Sequence, residues 1–158
     1  MKELNEIHGI SGTYLIKVKN IPIYIGQAND IADRFYSPKF SHVTKMNEAI
    51  KELNEKHIHV RMLKVSYWKY VIMYTNWNDL TIEKIGEKSE EAALIKKYRP
   101  IFNCDVRKID ETHVERFNKL TRLTDVDFNK LQIGQLTDNE VKELQDRLQD
   151  IRVITINR

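Results

Sequence analysis

The pattern of apolar and polar side chains first predicts a β-hairpin near the start of the chain. Residues 13–18 and 21–25 are rich in β-branched and aromatic residues, and a short polar link separates them. Pro22 cannot donate a hydrogen bond to a neighbouring strand. We therefore expect the second strand to lie at a sheet edge or to carry a bulge at that point.

The loop of this hairpin decides which side chains share a face. If residues 19–21 form the loop, Val18 pairs with Pro22. Tyr14 and Tyr24 then lie on the same face, because side chains alternate with a period of two along a strand. A loop with an even number of residues would place the two tyrosines on opposite faces.

Two helices are predicted after the hairpin. Asn29 and Asp30 supply capping side chains to a short helix at residues 31–35, from which Arg34 projects. A second helix is predicted at residues 43–56, where apolar residues line one side and charged residues the other.

The next apolar segments predict strands, and a third helix follows them. Residues 58–65 and 70–74 are interpreted as one long strand or two short strands. Ser89 is the predicted N-cap of a helix at residues 90–98, and Pro100 prevents the helix from continuing.

A carboxylate lies on the apolar side of this third helix. Glu91, Ile95 and Tyr98 are spaced at i, i+4 and i+7, so they share one face. A charged group is unusual on such a face. The first turn of a helix also favours an ionised carboxylate, which suits a metal ligand.

The remainder of the chain is charged and helical in pattern. Residues 112–115 and 137–140 match the capping-box pattern, which predicts two helices. An a/d-like apolar spacing runs along the second helix, at Val141, Leu144, Leu148 and Ile151. Two interpretations of this stripe are open: docking within the chain, and dimerisation with a second copy.

Composition narrows the class of protein. The 158 residues carry a net charge of +3, are 31% charged and contain one cysteine, Cys104, which excludes an intrachain disulfide. No apolar run reaches the ~18 residues that span a bilayer, and the first residues lack the pattern of a signal peptide. We therefore expect a cytoplasmic protein without a membrane partner. The positive charge permits nucleic acid as a partner.

The residues with the most distinctive chemistry occur in a suggestive order and spacing. They are Gly12-Thr13-Tyr14, Tyr24-Ile25-Gly26, Arg34, Glu91 and Asn103. Together they resemble the GIY-YIG nuclease superfamily, especially its excision-repair incision nucleases and small endonucleases. Alone, each residue has an ordinary structural interpretation, so the prediction depends on their joint spacing.

The resemblance covers roughly residues 12–103 and implies a fold. It implies an α/β (α+β) architecture, in which a small mixed three-stranded sheet is flanked by helices. We expect a nuclease domain at residues 8–106. A helical extension at residues 107–158 would then bind DNA or form a homodimer.

The resemblance also implies an activity: divalent-metal-dependent hydrolysis of DNA phosphodiester bonds. Glu91 would hold one Mg²⁺ or Mn²⁺ ion, and Arg34 would contact the scissile phosphate. Tyr14 would act as general base or orient the attacking water. Tyr24 would hydrogen-bond the same water or the phosphate, and Asn103 would fix its loop or orient other groups of the site.

Two features complicate this assignment. A phenol has an ordinary pKa near 10, so a tyrosine base needs help from the metal or from a cation such as Lys17. Pro38 stands four residues after the arginine, where relatives often have tyrosine or histidine; Tyr36 and His42 are the candidate replacements. Pro38 also favours the alternative, a catalytically inactive DNA-binding or regulatory module that retains the fold.

Overall fold

The structure, a computed structural model, describes residues 7–56, 65–103, 109–121, 127–128, 130 and 136–148. Within them the strands and α-helices are, in chain order, β1 (Gly12–Val18), β2 (Ile21–Ala28), α1 (Ile31–Tyr36), α2 (His42–Lys56), α3 (Val65–Thr75), β3 (Leu80–Gly86), α4 (Glu91–Tyr98), α5 (Glu111–Thr121) and α6 (Asp138–Leu148). Three short 3₁₀ turns connect some of them: Trp77–Asp79, Lys88–Glu90 and Ile101–Asn103.

The three strands form one antiparallel sheet in the order β2-β1-β3. The predicted α+β class with a three-stranded sheet is confirmed. The pairing is antiparallel throughout, which differs from the mixed sheet that we predicted. The reason lies at the hairpin turn: β3 begins beside it, where the Lys19 amide donates to the Asp79 carbonyl at 3.2 Å. β3 therefore runs opposite to β1.

The hairpin turn is shorter than predicted. Lys19 and Asn20 form it, with positive φ values of 51° and 65°, and Val18 pairs directly with Ile21. Two consecutive residues with positive φ give a turn whose twist matches that of the flanking strands. The predicted three-residue loop is therefore wrong.

A bulge in β2 compensates for the shorter turn. Pro22 and Tyr24 pair with two consecutive residues of β1, which leaves Ile23 as an extra residue on β2. The extra residue shifts the alternation by one, so Tyr24 lies on the same face as Tyr14. Both expectations for Pro22 are confirmed, since β2 is an edge strand and the bulge adjoins the proline.

The segment at residues 70–74 is helical, which corrects the predicted strand. It lies within α3, and all five of its side chains are buried. A segment that is buried on every side shows no apolar period, so periodicity cannot distinguish helix from strand there. Except for Val65, which begins α3, the strand predicted at residues 58–65 lies outside the described residues.

The third strand was not predicted, although its sequence alternates. Leu80 and Ile82 are buried, whereas Thr81 between them is exposed. This period of two is typical of a half-buried strand. The strands that we assigned to the preceding segment already completed a three-stranded sheet, so this segment was not assigned as a strand.

The helical extension shares its core with the sheet. Phe117 and Leu120 of α5, and Val141 and Leu144 of α6, belong to the same apolar cluster as the strands. The α6 stripe thus docks within the chain at its two described positions. Ile151 and the side chain of Leu148 lie outside the described residues.

One of the two predicted capping boxes is present, and the other helix has a different cap. Thr137 and Glu140 exchange the two expected hydrogen bonds at the start of α6, at 3.0 and 3.2 Å. At α5 the carboxylate of Asp110 accepts from the amide of His113, so the cap lies two residues before the predicted Thr112.

Among the described helices, none combines the length and the apolar composition that a membrane span requires.

Candidate active site

Three aromatic rings meet on the face of the hairpin that carries Tyr14. Tyr14 and Tyr24 lie 6.3 Å apart between ring centroids, and His42 at the start of α2 lies 5.9 and 5.4 Å from them. The Tyr14 Oη atom is 2.8 Å from His42 Nε2, in a buried hydrogen bond. His42, one of the two candidates for the group missing at Pro38, therefore contacts a site tyrosine directly.

Gly26 makes room for the phenol of Tyr14. The two residues are cross-strand partners, and a Cβ atom on Gly26 would lie 2.5 Å from Tyr14 Oη and 3.0 Å from the Tyr24 ring. Such distances are far below van der Waals contact. The absent side chain therefore lets the Tyr14 ring lie over β2 and reach His42.

The substitution Gly26→Ala is expected to displace the Tyr14 ring and break its hydrogen bond to His42. Overpacking of this kind costs about 1–3 kcal/mol. We expect the free energy of unfolding, measured in urea, to fall by that amount. Tyr14→Phe removes the atom closest to the new methyl group, so the double variant should lose less than the sum of the single losses. Wild-type stability of Gly26→Ala would contradict the predicted contact.

Arg34 lies on α1, and its guanidinium forms one hydrogen bond within the chain. Asp30 caps this helix as predicted, accepting from the Asp33 amide at 3.2 Å. The Nη1 atom of Arg34 donates to the Phe40 carbonyl at 2.8 Å. Within the described part of the chain Arg34 forms no ion pair with a carboxylate. Its remaining donors are therefore available to an anion.

Glu91 is the first residue of α4, and the preceding turn positions it. Glu87 and Glu90 form a capping box around that turn, which replaces the predicted N-cap at Ser89. The Thr13 hydroxyl donates to the Glu87 carbonyl at 2.6 Å and ties the turn to β1. The start of α4 is thus fastened to the strand that carries Tyr14.

Glu91 and Arg34 both act electrostatically on the two site tyrosines. The charge of Glu91 raises the pKa of Tyr14 and of Tyr24, and the charge of Arg34 lowers both. The charges of two predicted site residues therefore act on the other two, although Tyr14 and Glu91 are 77 positions apart in the sequence (91 − 14).

Asn103 fixes the backbone of β2 between Tyr24 and Gly26. Its Oδ1 atom accepts from the Ile25 amide at 2.7 Å, and its Nδ2 atom donates to the Ile25 carbonyl at 2.8 Å. The side chain thereby completes the hydrogen bonds of an edge strand, as a further strand would. This geometry agrees with the positional role that we predicted for Asn103.

Lys17 and Tyr36 are the other two auxiliary candidates. Lys17 is three residues from Tyr14 on the same strand, which places it on the opposite face, and it pairs with Glu83 at 2.9 Å. Tyr36 is buried against Phe35, with ring centroids 4.8 Å apart. The expectation that Lys17 would assist Tyr14 is therefore wrong.

Lys69, rather than Lys17, is the lysine that lies beside a site tyrosine. The sequence analysis did not predict this residue. Its Nζ atom lies 4.4 Å from the centroid of the Tyr24 ring. Lys69 is the single charged residue of α3, and the interpretation of that segment as a strand hid its significance. An isolated lysine within a long apolar segment was the available signal.

Burial sets the protonation states of the site. It raises the pKa of Tyr14 well above its ordinary value, and Tyr24 adds to the shift. Burial likewise raises the pKa of Tyr24. It lowers the pKa of His42 well below 6.5, and the charges of Arg34 and Lys69 lower it further. At neutral pH both phenols are protonated and the imidazole is uncharged.

The described residues offer one carboxylate for a metal at this site. Glu91 is half-buried, and its carboxylate forms no hydrogen bond or ion pair with another described residue. In the described ranges there is no group of three or more His, Cys, Asp or Glu side chains that could hold a metal ion. A single unpaired carboxylate fits Mg²⁺, which keeps several waters and shares substrate phosphates, better than it fits zinc.

Comparisons of this chain with protein-family models, curated proteins and solved structures found no match. No protein-family model matches the chain, and neither a curated protein nor a solved structure matches it significantly. Function is therefore inferred from the residues of the site.

Proposed function

We propose that this chain is a divalent-metal-dependent endonuclease of the GIY-YIG type, which hydrolyses DNA phosphodiester bonds. The observation that supports it best is the cluster of Tyr14, Tyr24 and His42, in which His42 Nε2 lies 2.8 Å from Tyr14 Oη. The charges of Arg34 and Glu91 both act on the two phenols. These groups match what phosphodiester hydrolysis requires: donors for the phosphoryl oxygens, a proton acceptor for the attacking water and a metal ligand.

Arg34 and Tyr24 supply the donors for the phosphate. The guanidinium is planar and permanently charged, so it can form two parallel hydrogen bonds to phosphate oxygens. The protonated phenol of Tyr24 donates a further hydrogen bond. Glu91 would hold a hydrated Mg²⁺ or Mn²⁺ ion, which stabilises negative charge on the phosphoryl oxygens and lowers the pKa of bound water.

Tyr14 and His42 together accept the proton of the attacking water. The raised pKa of Tyr14 means that a free phenolate is scarce, so this tyrosine cannot act as a base alone. His42 is neutral and lies within hydrogen-bond distance. The water transfers its proton to Tyr14 Oη while the phenol transfers its own proton to His42 Nε2. The imidazole ends the step positively charged, and the phenol is unchanged.

The proton relay predicts that Tyr14→Phe and His42→Gln each lower the nicking rate by about 100-fold, since general base catalysis contributes 10²–10⁴-fold. Because the two groups act as a unit, the double variant should lose little more than either single variant. Tyr74→Phe is the control. Tyr74 is a buried tyrosine of α3, and its variant should nick at the wild-type rate. Independent losses that multiply in the double variant would contradict the relay.

The relay also predicts a pH dependence. Since the folded pKa of His42 lies well below 6.5, the imidazole stays neutral as pH falls from 8 to 6.5, and protonation of His42 should cause no loss of rate there. The unfolded chain takes up this proton near pH 6.5, so His42 makes the free energy of unfolding decrease as pH falls below that value. The His42→Gln variant should lack this part of the decrease, which urea unfolding at several pH values would measure.

The proposed activity is tested with supercoiled plasmid. Wild-type protein in Mg²⁺ or Mn²⁺ should produce nicked circles, and a chelator should prevent them. A variant that lacks both Arg34 and Glu91, purified in parallel, controls for contaminating nuclease. Plasmid binding without nicking would reject the enzyme and indicate the inactive DNA-binding module. Neither binding nor nicking would reject both.

Cell location and assembly belong to the same proposal. We place the activity in the cytoplasm, where DNA is accessible and Cys104 stays reduced.

One site cuts one strand, so a double-strand cut requires two copies or successive attacks. A homodimer would have to use surfaces other than Val141 and Leu144, which are buried within the chain.

A further inference from the structure

Lys69 is a half-buried cation surrounded by aromatic rings. Its Nζ atom lies 4.4 Å from the centroid of the Tyr24 ring and 4.8 Å from that of Tyr70. Within the described residues it forms no ion pair with a carboxylate. Lys17, by contrast, pairs with Glu83 on the opposite face of the sheet.

A second cation shares this environment without a carboxylate partner. The charge of Arg34 acts on Lys69, on Tyr24 and on His42. Burial, with the repulsion of Arg34, lowers the pKa of Lys69 to about 8. Attraction to aromatic rings offsets only part of the cost of burying a cation beside a like charge. Lys69, which lies over the Tyr24 ring, and Arg34, whose charge reaches Lys69, therefore form a site for an anion.

The protonated phenol of Tyr24 completes this site. Its ring lies against Lys69, so a hydrogen-bond donor and a positive charge lie side by side, whereas the Tyr14 hydroxyl donates to His42. A tetrahedral oxyanion fits such a set of donors.

We propose that Lys69 and Arg34 together bind one phosphate group of the nucleic acid, with Lys69 as a binding residue contributed by α3. The identity of the anion as a nucleic-acid phosphate rests on the proposed function, whereas the anion site itself does not. Lys69 holds the phosphate electrostatically, as a point charge, while Arg34 forms the directional hydrogen bonds.

The inference has a pH signature. The groups that face Lys69 are Tyr24 of β2, Tyr70 of α3, Arg34 of α1 and His42 of α2. The pKa of His42 lies well below 6.5, that of Tyr24 is raised above 10.0, and Arg34 keeps its charge. Loss of the Lys69 proton therefore weakens anion binding as pH rises through about 8.

Sulfate is the probe for the test, because it keeps two negative charges throughout this pH range. Its dissociation constant for the full chain, from an NMR titration without metal, should rise about tenfold between pH 7 and pH 9. Lys69→Met should bind about tenfold more weakly at pH 7 and show no such rise. Lys69→Arg should bind equally well at both pH values, and Lys17→Met is the matched control that should behave as wild type.

Several results would overturn the inference. Wild-type sulfate binding by Lys69→Met, or persistence of the pH-dependent loss in Lys69→Arg, would exclude Lys69 from the site. A second arm measures a short single-stranded DNA, which Lys69→Met should also bind more weakly. A response of sulfate alone would reject nucleic acid as the source of the phosphate. Nicking by the wild type is scored separately, so failure of the enzyme proposal stays distinct from failure of this one.

Discussion

Replacing Arg34 with alanine is expected to lower the nicking rate about 1,000-fold, since an arginine that stabilises a phosphoryl transition state contributes 10³–10⁵-fold. The structure leaves its guanidinium with one hydrogen bond, to the Phe40 carbonyl, and no carboxylate partner among the described residues. Initial rates of plasmid nicking at saturating Mg²⁺ measure the effect.

Arg34→Lys separates charge from geometry. Lysine keeps the positive charge but cannot form two parallel hydrogen bonds to one phosphate, so we expect it to recover only a small part of the lost rate. Thermal unfolding should be nearly unchanged in both variants, because the lost hydrogen bond is solvent-exposed. Full activity of Arg34→Ala would remove this residue from the mechanism.

Glu91→Gln is expected to lower the nicking rate by a similar factor, about 1,000-fold. The metal supplies several kcal/mol of stabilisation to the transition state, and each 1.4 kcal/mol corresponds to about tenfold in rate. The amide has nearly the same shape as the carboxylate but binds Mg²⁺ weakly. Higher Mg²⁺ concentrations should therefore restore part of the rate, a behaviour that distinguishes weakened metal binding from misfolding.

Glu83→Gln is the matched control for Glu91. Glu83 lies on the opposite face of the sheet, where it pairs with Lys17, and a surface ion pair contributes about 0–1 kcal/mol to stability. Its substitution should leave both the rate and its dependence on Mg²⁺ unchanged. If Glu91→Gln nicks as the wild type does and at the same Mg²⁺ concentration, another group holds the metal.

For the hairpin, the predicted face of the two tyrosines is correct, but the loop length from which we predicted it is wrong. We predicted Tyr14 and Tyr24 on one face from a three-residue loop, but the turn has two residues. The bulge at Ile23 supplies the missing shift. Alternation along the strands and the special behaviour of Pro22 were visible in the sequence. The turn length was not, since Lys19 and Asn20 adopt positive φ in a pair that is not a strong turn signal.

Local patterns located the motif residues but not the groups that surround them. The caps at Asp30 and Thr137 follow from rules that act within one turn of helix. The hydrogen bond between Tyr14 and His42 joins residues 28 apart, and no local rule selects His42 over Tyr36. The position of Lys69 over the Tyr24 ring depends on how α3 packs in the core, and no local sequence pattern encodes that packing.

The contacts of α5 have a consequence for how this chain can be divided. Arg116 donates to the carbonyl oxygens of Tyr98 and Arg99 where α4 ends, at 3.1 and 2.6 Å. Phe117 packs against Phe102, one residue before the asparagine that holds β2, with ring centroids 6.4 Å apart. α5 therefore contacts both the end of α4 and the segment that leads to Asn103. We expect residues 8–106, expressed without α5, to unfold at a lower urea concentration than the full chain.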